Sequence, residues 1–172
     1  MNIIDTINTR RSIRKFTGKV IDEENLKLIL KAGFQAPSAH NLRPREFVVV
    51  KNNDKLEKIS KFHKYAKMAP SAGCGIVVCG DSSKQQNIGL LNSDCSASIQ
   101  NMLLAAHGLG LGAVWCGISH DKLIEDFSQL LDLPEHIIPL GMVVTGETDQ
   151  KTVSIDRYNT EHIHYDKYKP KI

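Results

Sequence analysis

Apolar and polar residues follow two periods along this chain, and the switches between them mark out its elements. Ile3, Ile4 and Ile7 fall at helical spacing and predict a short helix that stops before a run of arginines. A second helix is better marked. Asp22 stands at its N-cap, Glu23 and Glu24 suit its first turn, Leu26, Ile29 and Leu30 form the apolar stripe, and Pro37 ends it. The apolar run 47–50 reads as a buried strand, Asn52 and Asn53 as a turn, and Leu56, Ile59 and Phe62 as the inner face of an amphipathic helix. Residues 76–79 make a second strand between Gly75 and Gly80. Residues 94–107 are good helix formers with no charge after Asp94, so this helix must be covered on most sides, by the domain or by another chain. A third strand at 113–116, an amphipathic helix at 121–131 ending near Pro134, and a fourth strand at 140–145 between Pro139 and Gly146 complete the pattern. Helices and strands thus alternate in one layered α+β or α/β unit spanning 1–172, without repeat or linker. The last segment carries Arg157, Tyr158, His164, Tyr165 and Tyr168, more aromatic anchoring than a free tail needs, and is expected to lie on something.

Composition narrows the setting. With 172 residues, 41% hydrophobic and 24% charged, the chain can bury a core without a disulfide or metal staple. No run is long and apolar enough to span a membrane and the N-terminus lacks a signal core, so a cytoplasmic setting is expected. Cys74, Cys79, Cys95 and Cys116 form no CxxC pair and read as reduced, mostly buried thiols. A net charge of +3 is too mild to imply nucleic-acid binding. The basic residues are unevenly placed: Arg10, Arg11, Arg14, Lys15 and Lys19 crowd one segment, either as a solvated face or as an anion site. Lys167, Lys169 and Lys171 read as a solvated terminus.

Several familiar chemistries lack their motif. Gly108, Gly110 and Gly112 imitate a dinucleotide loop, but a helix precedes them and a strand follows, the reverse of the order that brings a pyrophosphate to a helix N-terminus. A helix C-cap and tight turn fit better. There is no P-loop, no HExxH, no GxSxG elbow, and His162 with His164 is weak support for a metal. Two segments carry chemistry. Arg10, Arg11, Ser12 and Arg14 are suited to clamp a phosphate, since guanidinium forks bind its oxygens in pairs and a hydroxyl adds a neutral donor. In residues 36–44, two prolines bracket small and amide-bearing residues, which makes either an ordinary helix-to-strand connection or a stiff loop presenting backbone groups and the Asn41 amide to a planar heterocycle.

Taken in order, these segments resemble the FMN-dependent nitroreductase family, in its compact bacterial and archaeal branch. The resemblance rests on RRSxRxF at 10–16, APSxxNxxP at 36–44 leading into FVVV, DCSAxxQNxLLAAHxLGLGAVWxG at 94–117, LPEHIIP at 133–139 and DRYxxExxHYxKY at 156–168. It implies a three-layer α+β fold with a mixed, mostly antiparallel central sheet flanked by helices, in an intertwined homodimer with FMN at the subunit interface. Arg10, Arg11 and Ser12 would hold the FMN phosphate, Arg14 would lie nearer the ribityl chain or pyrimidine edge, and Arg157 would add a late phosphate contact. Pro37, Ser38, Ala39 and Asn41 of the partner subunit would line the isoalloxazine, and Trp115, Cys116 and Gly117 would face the ring, one backbone donor near its N5/O4 edge. Helix 94–107 would pack at the dimer centre, and the segment from about 150 to 172 would extend over the partner.

By the same resemblance, NADH or NADPH donates hydride to flavin N5 and a nitroaromatic, quinone or similar electron-poor acceptor then takes its place, with no catalytic side chain required. Donors at the N1/O2 edge and a positive neighbour such as Arg14 or Arg43 would favour the reduced flavin. Arg43 and Arg45 stand where the family's loop usually carries a glutamine and an aromatic. Arg43 is expected to reach the flavin edge, and Arg45 to remove a packing group and admit anionic substrates. The short chain leaves the flavin open, which implies loose acceptor selectivity and reaction with oxygen. Two other readings keep the same motifs: an FMN-binding or redox-sensing protein without dedicated turnover, and a reductive dehalogenase or ene-reductase of the same fold.

Overall fold

A computed structural model of the chain describes residues 2–168; Lys169 and Lys171 of the basic tail lie outside them. Five helices, α1 (Ile3–Thr9), α2 (Glu23–Phe34), α3 (Asn53–Phe62), α4 (Ile88–Gly108) and α5 (Asp121–Leu131), surround four strands, β1 (Arg45–Val50), β2 (Cys74–Asp81), β3 (Gly112–Gly117) and β4 (Ile137–Gly146). The sheet order is β1-β2-β4-β3 and all three ladders are antiparallel. Among the described residues the parallel component is a single bridge between Ser12 and Ala113.

Side-chain alternation on the sheet builds two cores and hence three layers. Ile76 and Val78 of β2 face Leu26 and Ile29 of α2 and Cys95, Ile99 and Met102 of α4. Val77 and Cys79 face Leu56 and Ile59 of α3 and Phe127 of α5 on the other side. α2 and α4 approach closely at Gly33, where an added Cβ would run into the Met102 side chain.

Element ends differ from expectation where a side chain or bulge intervenes. β4 begins at Ile137 rather than 140 and passes through Pro139, which pairs with Cys79; a bulge at Leu140, between that pair and Val78–Gly141, breaks the regular ladder next to the residue that cannot donate. α4 begins six residues before Asp94, since the Asn87 side chain accepts from Leu90 N–H at 3.1 Å and caps it there. Asp22 occupies the N-cap of α2 without making a side-chain cap bond.

α1 forms as expected, yet its apolar stripe faces outward: Ile3, Ile4 and Ile7 are 63, 61 and 50% exposed. Val153, Ile155 and Tyr158 lie exposed as well. Among the described residues no helix is long and apolar enough to cross a membrane.

Candidate functional site

Residues 10–14 are held against the edge of β3. Ser12 bridges Ala113, Ile13 N–H donates to the Ala113 carbonyl at 3.0 Å, and the amides of Arg14 and Lys15 both donate to Gln150 Oε1 at 3.1 Å. Arg14 lies close enough to Cys116 for its charge to act on the thiol. The fold therefore gathers Arg10, Arg11, Ser12 and Arg14 beside Trp115, Cys116 and Gly117, although the two groups are about a hundred residues apart in sequence.

A cavity of about 500 Å³ lies next to this edge, lined in part by Arg10, Arg11, Asp156 and Arg157. Among the described residues no ion pair reaches any of the three arginines. Asp156 instead uses Oδ1 to accept from Tyr158 N–H. Burial lowers the Arg10 pKa, and repulsion from Arg157 and then Arg11 lowers it further. His107, whose Nε2 lies 2.8 Å from Thr9 Oγ1, is also lowered, first by burial and then by Arg10 and Arg11. Three guanidinium groups against one carboxylate, none of them ion-paired among the described residues, leave the cavity net positive and favour an anion such as phosphate.

The arginines are not equivalent. Arg11 donates through Nε to the Val153 carbonyl, through Nη1 to Asn8 and Arg10, and through Nη2 to Ile155. Most of its donors are thus spent fastening the start of the C-terminal segment to its own chain, with Ser154 Oγ donating to the Asn8 carbonyl beside it. Arg10 and Arg157 have no such ties among the described residues.

The Trp115 to Gly117 backbone is braced from behind by a residue that sequence reading missed. His63, 1% exposed, places Nε2 2.9 Å from the Gly117 carbonyl, while Tyr65 N–H donates to Nδ1 at 3.2 Å. The second bond makes Nδ1 an acceptor, so Nε2 carries the proton and donates to Gly117. Burial lowers the His63 pKa, in keeping with a neutral ring. Cys116 Sγ donates to the Tyr65 carbonyl, and burial pushes that thiol up to about 11. Gly141 was also missed. A Cβ there would come within 2.6 Å of Trp115 Nε1, so its lack of a side chain makes room for the indole.

The loop at 36–44 forms a separate patch. Ser38 Oγ accepts from Arg43 N–H, Asn41 Oδ1 accepts from Arg43 Nε, and Asn41 N–H donates to the Ser38 carbonyl. His40, Asn41 and Arg43 have φ of 52, 56 and 50°, a left-handed conformation that costs a non-glycine residue about 1–2 kcal/mol, less for asparagine. The loop is strained, and its shape must be imposed from outside.

Arg45 corrects an expectation. It does not project from the loop toward solvent or substrate: it is 4% exposed and Nη1 donates to the Ala36 carbonyl at 2.5 Å, with longer contacts to the Pro37 carbonyl and Ser98 Oγ at 3.4 Å. The reason is register. Arg45 opens β1 opposite Gly80 and turns inward toward α4, where the Asp94 charge partly offsets its burial.

Within one chain the two patches stand apart. Ala39 N–H is bound to Asp94 near the start of α4, whereas His107, at its end, meets Thr9 beside Arg10. Thirteen residues of helix separate these anchors, about 20 Å at 1.5 Å per residue.

Comparison with known proteins places this geometry. The nitroreductase-family profile matches residues 7–72 and 63–147. A protein of Methanothermobacter thermautotrophicus, provisionally named NADH dehydrogenase/NAD(P)H nitroreductase, is 40% identical over 169 residues, 98% of this chain and 88% of that protein. The NADPH-flavin oxidoreductase of Vibrio harveyi is 32% identical over 87% of this chain and 67% of its own length. Among solved structures, a nitroreductase described in complex with FMN, from Desulfovibrio desulfuricans, superposes with a TM-score of 0.82 at 29% identity, covering 98% of each chain. With profile, sequence and fold in agreement over nearly its whole length, the chain belongs to the nitroreductase family.

Proposed function

We propose that the protein is a cytoplasmic NAD(P)H-dependent FMN oxidoreductase that works as a homodimer. The observation that carries the reading is the cluster of Arg10, Arg11 and Arg157 around a cavity where Asp156 is the one carboxylate among the lining residues, with Arg10 and Arg11 on a segment bonded directly to the β3 edge. The names of the relatives support the cofactor and the nicotinamide donor.

The chain's own residues then have distinct tasks. Arg10 and Arg157 bind the phosphate with Ser12 adding a hydroxyl, and Arg11 contributes charge while holding the segment at 153–155 in place. Arg14 sets a positive charge near the flavin's pyrimidine edge. The backbone of Trp115, Cys116 and Gly117 faces the ring, kept in place by His63. Pro37, Ser38, Ala39, Asn41 and Arg43 line the opposite side of the site formed by a second copy. The separation of the two patches along α4 favours that arrangement, as do the exposed isoleucines of α1 and the exposed Val153, Ile155 and Tyr158, an apolar surface that another copy would cover. When bound, FMN supplies a carrier that takes hydride from NADH or NADPH and delivers it to a nitroaromatic, a quinone or a similar electron-poor acceptor.

The test is direct. Purified protein incubated with FMN and desalted should be yellow, bleach with NADH or NADPH under anaerobic conditions, and recolour on addition of a nitroarene or quinone. A colourless protein refutes the reading. Bleaching with no acceptor turnover would make it a flavin binder, and turnover confined to halogenated aromatics or activated alkenes would assign it to those reactions.

A further inference from the structure

The strained loop at 36–44 is gripped from beneath by two buried charges. Arg45 Nη1 donates to the Ala36 carbonyl, and Asp94 Oδ1 accepts from Ala39 N–H at 2.9 Å. Both residues are nearly inaccessible, at 4 and 6% exposure, and both stand on rigid elements, Arg45 at the head of β1 and Asp94 in α4. Ser98, fully buried one turn further along α4, lies 3.4 Å from Arg45 Nη1 and donates to the Asp94 carbonyl. The grips fall on either side of Pro37 and Ser38, just before the three left-handed residues His40, Asn41 and Arg43.

The pair is a poor device for stability. Arg45 Nε and Asp94 Oδ2 are buried without a hydrogen-bond partner among the described residues, and the two side chains form no direct ion pair. Buried charges held this way are commonly replaced by apolar residues with no loss of stability, or with a gain. What they supply here is shape: a guanidinium donating to one carbonyl and a carboxylate taking one amide fix a backbone that its own torsions would relax.

We infer that Arg45 and Asp94 are positioning residues for FMN: they hold the loop in the conformation in which Pro37, Ser38, Ala39 and Asn41 meet the flavin bound on the arginine cluster of a second copy. The inference rests on the flavin reading above and adds to it a task for a buried pair that touches neither cofactor nor substrate.

The experiment compares wild-type protein with Arg45→Met/Asp94→Leu, both freed of FMN, by thermal melting and by titration with FMN followed through flavin fluorescence and visible circular dichroism. The double variant should melt at the wild-type temperature or above, bind FMN at least tenfold more weakly and show an altered visible dichroism of the bound flavin. A purely structural role predicts the reverse, a lowered melting temperature with unchanged affinity and dichroism, and that result overturns the inference. If this variant fails to fold, Arg45→Met/Asp94→Asn decides. It keeps an acceptor for Ala39 N–H and removes both charges, and it should weaken FMN binding about fivefold; affinity within twofold of wild type overturns the inference. A wild-type protein that does not bind FMN refutes the flavin reading itself, and the positioning role with it.

Discussion

His63 should make the stability of the protein depend on pH in a way that can be isolated. Its ring is neutral in the fold, with Nε2–H donating to the Gly117 carbonyl and Nδ1 accepting from Tyr65 N–H. A second proton would have to sit on Nδ1, facing another donor, inside a pocket closed by the Phe127 ring at 6.1 Å. The unfolded chain takes that proton at about pH 6.5, whereas the folded protein resists it because burial lowers the pKa. The unfolded state therefore binds more protons below pH 6.5, so stability is complete above that pH and falls as pH drops toward the folded pKa. The slope in that window reaches at most about 1.4 kcal/mol per pH unit. With an m-value of about 1–3 kcal/mol/M, the urea midpoint should move by up to roughly 0.5–1.4 M per pH unit. His107 acts in the same direction, so the assay needs a control that retains it. His63→Phe keeps the ring volume and removes the titration. It leaves the Gly117 carbonyl and the Tyr65 amide unpaired, at a cost of about 1–2 kcal/mol near neutral pH, the lower part of the usual range because both residues border solvent. Urea unfolding of the FMN-free proteins from pH 7.5 to 5 should show the variant weaker at pH 7.5 but with a flatter pH profile. Parallel midpoint curves would refute the assignment of a buried neutral His63.

The other expectations concern the phosphate cluster, the dimer surface and the thiols. Arg10→Ala should weaken FMN binding by about 10- to 150-fold, the equivalent of about 1.5–3 kcal/mol for a charge-assisted contact, in a fluorescence titration. Arg11→Ala should in addition lower the melting temperature of the FMN-free protein, because Arg11 fastens Val153 and Ile155; a melt equal to that of Arg10→Ala would contradict this division of labour. Ile7→Lys should shift a dimer toward monomer in sedimentation velocity, and an unchanged sedimentation coefficient would show that α1 does not face a second copy. Burial pushes the thiols of Cys74, Cys79 and Cys95 up to about 12 and that of Cys116 to about 11. At pH 8 a thiol with a pKa of 11 is about one-thousandth thiolate, so a disulfide reagent should label none of the four until the protein is unfolded.

Much of the fold was legible because its elements are amphipathic and well punctuated. Residues 121–131 have apolar positions at helical spacing and a polar start, and α5 runs over that same range. The strands 47–50, 76–79 and 113–116 were found as apolar runs, each a residue or two short at its ends, because glycine and charged residues continue a ladder that backbone bonds define. Pro139 hid the start of β4 because a bulge, which periodicity does not register, accommodates it. The site was legible only in pieces. Arginines next to a serine signal an anion, but nothing local shows that Arg11 turns to backbone carbonyls more than a hundred residues away or that His63 supports Gly117.

Helices α1 and α2 and Arg45 share one lesson about what a linear pattern conveys. Ile3, Ile4 and Ile7 have the spacing of a core stripe and are exposed, while Leu26 and Ile29 have the same spacing and are buried. Periodicity reports that a face is apolar and leaves open which surface covers it. Arg45 is the converse case. A charge beside a presumed pocket suggests contact with substrate, but the side chain's direction is set by its place in the β1–β2 ladder, which turns it toward α4. In both instances the deciding quantity is a partner that the local sequence does not contain. The loop at 36–44 depends on two of them: Arg45 and Asp94 set its shape from within the chain, and a second chain would use it. The strain in His40, Asn41 and Arg43 is then the physical link between the two, since a loop free to relax would need no buried charges beneath it and would present no fixed surface above.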